Sequence, residues 1–334
     1  MRAWAVDVPG PIGTHPLREL ERPVPSPGVR EVLVRVSACG VCRTDLHLAE
    51  GDLAPRRRFV VPGHEVVGIV ERRGEGASRF EVGDRVGVPW LARTCGACRF
   101  CTAGRENLCV GPAFTGWDVE GGYAELCVAH EDYAYSVPGE FDDVTAAPLL
   151  CAGIIGYRAL RQAALPQGGR LGIYGFGASA HLTAQVAMAE GARVHVLTRS
   201  PDARALAVGL GVASVGDAFD APPEPLDSAI LFAPVGTLVP VALEALDRGG
   251  TLAIAGIHLS DVPPLNYARH LFEERAVRSV TANTRGDGAA FLSVAARIGL
   301  QVRSVAYPMG DASRALADLA ADRVTGAAVL VAEG

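Results

Sequence analysis

Four cysteines fall within fifteen residues: Cys95, Cys98, Cys101 and Cys109, spaced C-x2-C-x2-C-x7-C. Thiolates at these intervals let one loop wrap a single zinc ion in a closed tetrahedral set. Such a set has no open coordination position, so it staples a loop and carries out no reaction. Four ordinary thiols is the plain alternative, and cysteine is rare enough to count against it. A nucleic-acid-binding zinc module is the other. The formal charge of -6 and the lack of a basic run around the cysteines argue against that module, and no nucleic-acid partner is expected.

A second chemistry is written in glycine. Gly175-Phe176-Gly177-Ala178-Ser179-Ala180 has the form G-x-G-x-x-A, after an apolar run and before a helix-like one. The glycines permit a tight turn and close approach of the backbone to a pyrophosphate at a helix N-terminus. Ala180 replaces the third glycine, where only close helix–strand packing is required. About 20 residues further on, an NAD site usually ends its second strand with an acid on the ribose hydroxyls. Here that strand ends in Thr198-Arg199-Ser200. A hydroxyl–arginine–hydroxyl triplet suits a 2′-phosphate, so the expectation is NADP(H) in preference to NAD(H). In the alternative, Arg199 points to solvent and NAD(H) binds without the carboxylate.

Three scattered segments each offer one more metal-binding side chain: Cys42 in GVCRTDLH, His64 in PGHE and Cys151 in PLLCAG. Taken singly, each reads as well as a packed core residue. Their order along the chain, with the four-cysteine loop between the second and third, resembles the zinc-containing alcohol dehydrogenases of the medium-chain dehydrogenase/reductase superfamily. The resemblance spans nearly the whole chain. It implies that Cys42, His64 and Cys151 hold a catalytic zinc whose fourth position is open to water or substrate. Two zinc ions per chain follow, counting the closed site. Asp45 and Glu65 match carboxylates that orient the ligands, and Thr44 and His47 match a proton relay toward solvent. Plain alternatives for that pair are a helix cap and a surface histidine. Arg43 matches a pyrophosphate contact. Leu53, Trp90 and Trp117 match loops that face the substrate, although the tryptophans could equally be barrel core. Such walls suit apolar or aromatic alcohols and aldehydes. The family's cofactor-binding Arg near the C-terminus is absent, because this chain reads Gly326-Ala327-Ala328. Cys39 and Cys127 match no ligand position and read as small buried residues.

The implied activity is reversible hydride transfer between a nicotinamide dinucleotide and a small-molecule alcohol or aldehyde, in a homodimer or homotetramer. Two other functions compete: a zinc-free quinone or enoyl reductase of the same superfamily, and a non-catalytic dinucleotide-binding protein. Every ligand position is filled and the glycine turn is intact, which favours the dehydrogenase. The chain contains no Lys, so lysine-based catalysis is excluded.

Elements able to position these residues have two textures. Up to about residue 150, short β-rich runs alternate with Gly and Pro: 31–36, 66–72, 84–88 and 123–128. From about 170, strands alternate with helices: strands at 170–174, 193–197, 228–232 and 251–255, helices at 179–190 and 201–210. A helix at 289–298 and a strand at 327–331 follow. The expected class is α/β, a Rossmann doubly wound parallel sheet plus a GroES-like β-rich catalytic domain. The catalytic domain is assigned to 1–150 and 285–334, and the dinucleotide domain to 151–284. A composition of 49% hydrophobic and 20% charged residues over 334 positions suits two globular cores. No apolar run is long enough for a membrane span, no signal peptide is evident, and closely spaced thiols point to a reducing compartment, so a cytoplasmic location is expected.

Overall fold

A computed structural model describes residues 1–332. The chain divides into two compact units. Unit 1 comprises Met1–Cys151, Ala282–Ala296 and the segment from Val302 onward; unit 2 comprises Ala152–Thr281 and Arg297–Gln301.

Unit 1 opens with a hairpin, β1 (Arg2–Val6) and β2 (Leu17–Glu21), followed by the long strand β3 (Glu31–Val41). Val32, Leu33, Val34 and Val36 are buried at the start of β3 with Arg35 exposed, and Ala38–Val41 is buried on both faces as the strand runs into the interior. β3 passes through Cys42 directly into helix α1 (Arg43–Glu50). After α1 come β4 (Val66–Arg73), β5 (Arg85–Val88), β6 (Leu91–Arg93), the short helix α2 (Arg99–Thr102) and β7 (Ala113–Phe114). β8 (Leu126–His130), β9 (Tyr135–Ser136) and helix α3 (Asp143–Ala146) complete this stretch.

Unit 2 begins with α4 (Ala152–Ala163) and β10 (Arg170–Tyr174), then α5 (Ala178–Ala189), β11 (Arg193–Leu197), α6 (Pro201–Gly209) and β12 (Ser214–Gly216). It continues with β13 (Leu226–Leu231), α7 (Leu238–Ala245), β14 (Leu246–Ile254), α8 (Tyr267–His270) and β15 (Ala276–Ser279). Helix α9 (Arg285–Ile298), β16 (Ser304–Pro308), α10 (Ala312–Ala320) and β17 (Ala327–Val331) end the chain.

The unit 1 sheet runs β16-β17-β3-β4-β5-β9, with β8 also on β3. Its pairs are antiparallel except β16 with β17. The unit 2 sheet runs β12-β11-β10-β13-β14-β15, and every neighbouring pair is parallel. Its six strands therefore lie in the order 3-2-1-4-5-6 by chain position, the doubly wound dinucleotide-binding arrangement. Burial on both faces explains why β10 and β13 read as near-continuous apolar runs. The fold class is α/β with a GroES-like β-rich portion, as the sequence implied.

One expected strand is displaced. Residues 123–125 precede β8, because Tyr123 is held in a loop: its amide donates to the Pro62 carbonyl (3.0 Å) and that of Gly122 to Gly63 (2.9 Å). Among the described residues, no single helix is long and apolar enough to cross a membrane.

Candidate metal centres and dinucleotide loop

β3 delivers Cys42 and β4 starts just after His64 and Glu65, and the two strands pair with Cys39 opposite Val66. A 3-10 turn at Ala147–Leu150 delivers Cys151. Ligand atoms of Cys42, His64, Glu65 and Cys151 all lie within 4.8 Å of one another. Gly40 makes room for this: a Cβ there would collide with the Glu65 carboxylate. His64 is 1% exposed, and its Nε2 makes no hydrogen bond. A buried imidazole nitrogen without a partner is costly unless something else takes its lone pair. Two thiols, an imidazole and a carboxylate around that orphaned nitrogen fit a zinc ion.

Asp45 ties these ligands together from behind. Its Oδ2 accepts from the Cys42 amide (2.9 Å) and the Tyr123 hydroxyl (3.3 Å), and its Oδ1 accepts from the Gly63 amide (3.0 Å). The same Oδ1 lies 3.2 Å from His64 Nδ1. Cys42 is also the N-cap of α1, with its Sγ accepting from the Thr44 amide (3.5 Å).

Protonation within the cluster follows from burial and these partners. A hydrogen bond from Cys151 holds Cys42 well below the ordinary thiol range, and Cys151 shifts upward in response. Burial would lower His64, but Asp45 and Cys42 together outweigh it and raise the imidazole. Burial holds Glu65 well above the usual carboxylate range. Its carboxylate stands within 4.8 Å of the ligand atoms of Cys42, His64 and Cys151, close enough to act on that cluster.

The four-cysteine loop rises from the β6–β7 ribbon. Cys98 caps α2, which carries Cys101, and Cys109 ends a 3-10 turn at Glu106–Leu108. All four sulfurs lie within 4.8 Å of one another, with Cys98–Cys101 at 3.5 Å and Cys95–Cys101 at 3.9 Å. A tetrahedron with Zn–S bonds of about 2.3 Å has sulfur–sulfur edges of about 3.8 Å, so the spacing fits the ion. Backbone amides already serve the thiolates: Cys95 and Gly111 donate to Cys109 Sγ (3.3 and 3.4 Å), and Cys98 donates to Cys95 Sγ (3.4 Å). Amides of Cys101 and Val110 pull Cys98 down to about 6. At the foot of the loop, Glu106 accepts from the Arg285 amide (2.9 Å) and Nε (3.2 Å).

In unit 2, Gly175 follows β10 with φ +85°, and a Cβ there would lie 2.8 Å from the Ala233 nitrogen. Glycine alone fits that turn without strain. Gly177 is the N-cap of α5, and a Cβ on it would meet nothing within 4 Å. Open space over the exposed amides of a helix start is the cradle a pyrophosphate needs. Ala180 is fully buried beneath it, as close helix–strand packing requires.

Residues 28–139 match the alcohol dehydrogenase GroES-like domain. The chain is 58% identical to a probable alcohol dehydrogenase of Mycobacterium tuberculosis, over 99% of this chain and 97% of that one. This chain belongs to the zinc-containing alcohol dehydrogenases of the medium-chain dehydrogenase/reductase superfamily. Among solved structures, the dehydrogenase is similar to a cinnamyl alcohol dehydrogenase of Sorghum bicolor, with 28% identity and a TM-score of 0.90 over 99% of this chain and 97% of that one. It is also similar to a cobalt- and zinc-bound thermostable alcohol dehydrogenase of Pyrobaculum aerophilum, with 25% identity and a TM-score of 0.88 over 99% of each.

The remaining expected residues of this dehydrogenase fall in three places. On α1, buried Thr44 has Oγ1 3.7 Å from Cys42 Sγ, and His47 has Nδ1 3.0 Å from Asp52 Oδ2. Arg43 pairs with Asp322 through its Nη2. Beside the first metal cluster, Trp90 meets His64 edge-on at 4.8 Å and stacks on Phe114 at 4.8 Å and Trp117 at 6.1 Å. Leu53 and Trp117 pack on the unit 1 core from its rim. Phe114 was not evident from sequence; the pairing of Leu91 with Phe114 across β6 and β7 brings it into the stack. At the end of β11, Thr198 is buried, Arg199 is exposed and Ser200 Oγ caps α6 by accepting from the Ala203 amide (3.3 Å). Cys39 and Cys127 are buried, and burial pushes Cys127 up to about 12. Ala327 is buried in β17 opposite Ser304.

Proposed function

We propose that this alcohol dehydrogenase oxidises apolar and aromatic alcohols, and reduces the matching aldehydes, with NADP(H) preferred to NAD(H). Cys42, His64 and Cys151 would hold the catalytic zinc, and Cys95, Cys98, Cys101 and Cys109 a second, giving two per chain. When bound, zinc supplies Lewis acidity toward an alcohol or carbonyl oxygen and the nicotinamide accepts or supplies hydride.

The protein supplies positioning and proton handling. Asp45 fixes the Cys42 amide and the His64 ring, so the ligand atoms converge before anything binds. Trp90, edge-on to His64 and stacked on Phe114, offers an aromatic face to the organic part of a substrate. Thr44 Oγ1 would accept the alcohol proton as it passes its own on toward solvent, and His47, whose Nδ1 lies 3.0 Å from Asp52 Oδ2, would stand at the outer end of that relay. Thr198, Arg199 and Ser200 would face a 2′-phosphate. The protein works as a cytoplasmic homodimer or homotetramer.

One observation carries the reading: an orphaned, buried His64 nitrogen among two thiols, flanked by an aromatic stack. Metal analysis with an alcohol and aldehyde panel, run with both cofactors, tests it. About two zinc per chain and highest kcat/KM for aryl alcohols with NADP+ are expected. One zinc per chain would indicate the four-cysteine staple alone, and none would favour a zinc-free reductase. A clear preference for NAD+ would sink the cofactor choice.

A further inference from the structure

Unit 1 holds a cavity that the metal cluster does not use. It measures about 460 Å³ and opens to solvent, within the roughly 300–1,000 Å³ usual for small-molecule sites. Val88, Leu91, Val119, Leu126, Val128 and Ala129 supply apolar walls. Its lining includes none of Cys42, His64, Glu65, Cys151, Trp90 or Trp117. Thr115 also lines it; this residue is 1% exposed, and its Oγ1 has no hydrogen-bond partner. A buried hydroxyl without a partner is destabilising unless a bound molecule serves it. Charged side chains on the lining are paired with one another: Arg22 with Glu120 (2.8 Å) and Arg93 with Glu31 (3.1 Å). The Tyr133 hydroxyl, also on the lining, is taken by Thr94 Oγ1 at 2.6 Å.

We propose that this cavity is a second small-molecule site, for a neutral aromatic molecule carrying one hydroxyl or carbonyl group. That group bonds to Thr115 Oγ1, and the ring lies against the Val and Leu walls. Neutrality follows from the two ion pairs, which set each lining arginine against a carboxylate. A single polar group follows from the single unserved hydroxyl of Thr115. Occupation also bears on the aromatic stack beside the metal cluster. The Thr115 amide donates to the Trp90 carbonyl (2.8 Å), and Leu91 pairs with Phe114. A molecule packed on Thr115 and Leu91 therefore restrains the ribbon that positions Trp90 and Phe114. Pre-ordering that stack lowers KM for aryl alcohols. The effect on KM rests on Trp90 being the substrate wall; binding to the cavity does not.

The probe is 4-fluorophenol, which has no carbinol hydrogen to give as hydride, with fluorobenzene as its hydroxyl-free match. Fluorine NMR titrations use the full-length, zinc-supplied protein as wild type, Thr115→Val, Val128→Trp and Cys42→Ala. Wild type should bind 4-fluorophenol about tenfold more tightly than fluorobenzene. Thr115→Val should erase that difference without lowering Tm, because its hydroxyl has no bond to lose. Val128→Trp should fill the cavity and weaken both probes about tenfold or more, whereas Cys42→Ala should leave both within about twofold. Binding that survives Val128→Trp and is lost in Cys42→Ala puts the phenol at the metal cluster and overturns the proposal. Equal binding of the two probes to wild type overturns it as well. In turnover assays, saturating 4-fluorophenol should lower KM for benzyl alcohol about threefold in wild type and leave it unchanged in Val128→Trp. Probe binding as stated with an unchanged KM upholds the site and removes its coupling to Trp90.

Discussion

Oδ1 of Asp45 lies 3.2 Å from Nδ1 of His64, and both side chains are almost fully buried. The same carboxylate closes the capping box of α1 by accepting from the Cys42 amide. One side chain thus couples a helix start to two ligands contributed by different strands. A buried carboxylate facing an imidazole fixes the ring's tautomer and aims its other nitrogen at the cluster. Because Gly63 and Tyr123 also bind it, Asp45 is fully satisfied and cannot turn away.

Asp45→Asn preserves size and some hydrogen bonding but removes the charge facing His64. Zinc affinity at the Cys42/His64/Cys151 set should fall about 10–100-fold, with kcat falling in parallel. Zinc per chain measured after dialysis against a graded chelator series checks this. Unchanged retention of both ions would show that Asp45 does not support the metal.

Cys42→Ala removes a ligand and the Sγ acceptor at the start of α1 while leaving the Asp45 side chain in place. Zinc should drop from two to one per chain and turnover should fall by about a thousandfold or more, since two protein ligands hold the ion poorly. Dinucleotide affinity should stay within about twofold, because the glycine turn lies in the other unit. Substantial remaining alcohol oxidation would refute the ligand assignment.

How much of this was legible beforehand depended on the range of the interactions. The four-cysteine loop could be read from spacing because its ligands are local and one turn of chain closes around them. Gly175 and Gly177 could be read for the same reason. Cys42, His64 and Cys151 could not be joined by spacing, since their meeting depends on the β3–β4 register and on the turn before Cys151; only the resemblance linked them. Phe114 was missed because it reaches the aromatic stack through strand pairing, opposite Leu91. Tyr123 misled because a β-prone residue beside two glycines reads as a strand start. Its amide is instead committed to Pro62 and its hydroxyl to Asp45.

Trp90→Ala tests the aromatic wall. Removing the indole takes away the edge contact with His64 and the stack on Phe114. KM for benzyl and cinnamyl alcohols should rise about tenfold, whereas ethanol, too small to span the ring, should change less than about threefold. Trp90→Phe should restore most of the aryl preference. Equal losses for all alcohols would mean that Trp90 supports the fold and does not select substrate.

His181 gives the dehydrogenase a pH-dependent stability separate from its metals. The side chain is 1% exposed within α5, with Nδ1 3.3 Å from the Gly177 carbonyl, and burial holds its pKa down to about 4 against an ordinary 6.5. The folded state therefore keeps His181 neutral where the unfolded chain has already taken up a proton. Stability from this group is fully present above pH 6.5, declines as pH falls toward 4, and levels off below that. A displacement of this size corresponds to about 3 kcal/mol across the window. His181→Gln should flatten the slope even if it lowers stability at pH 7. Urea unfolding of both proteins at intervals from pH 7 to pH 4.5 should show wild type losing its advantage progressively. A difference constant to within about 0.5 kcal/mol over that range would mean that His181 is not buried neutral, because an imidazole free to titrate in the folded state has no linkage to lose.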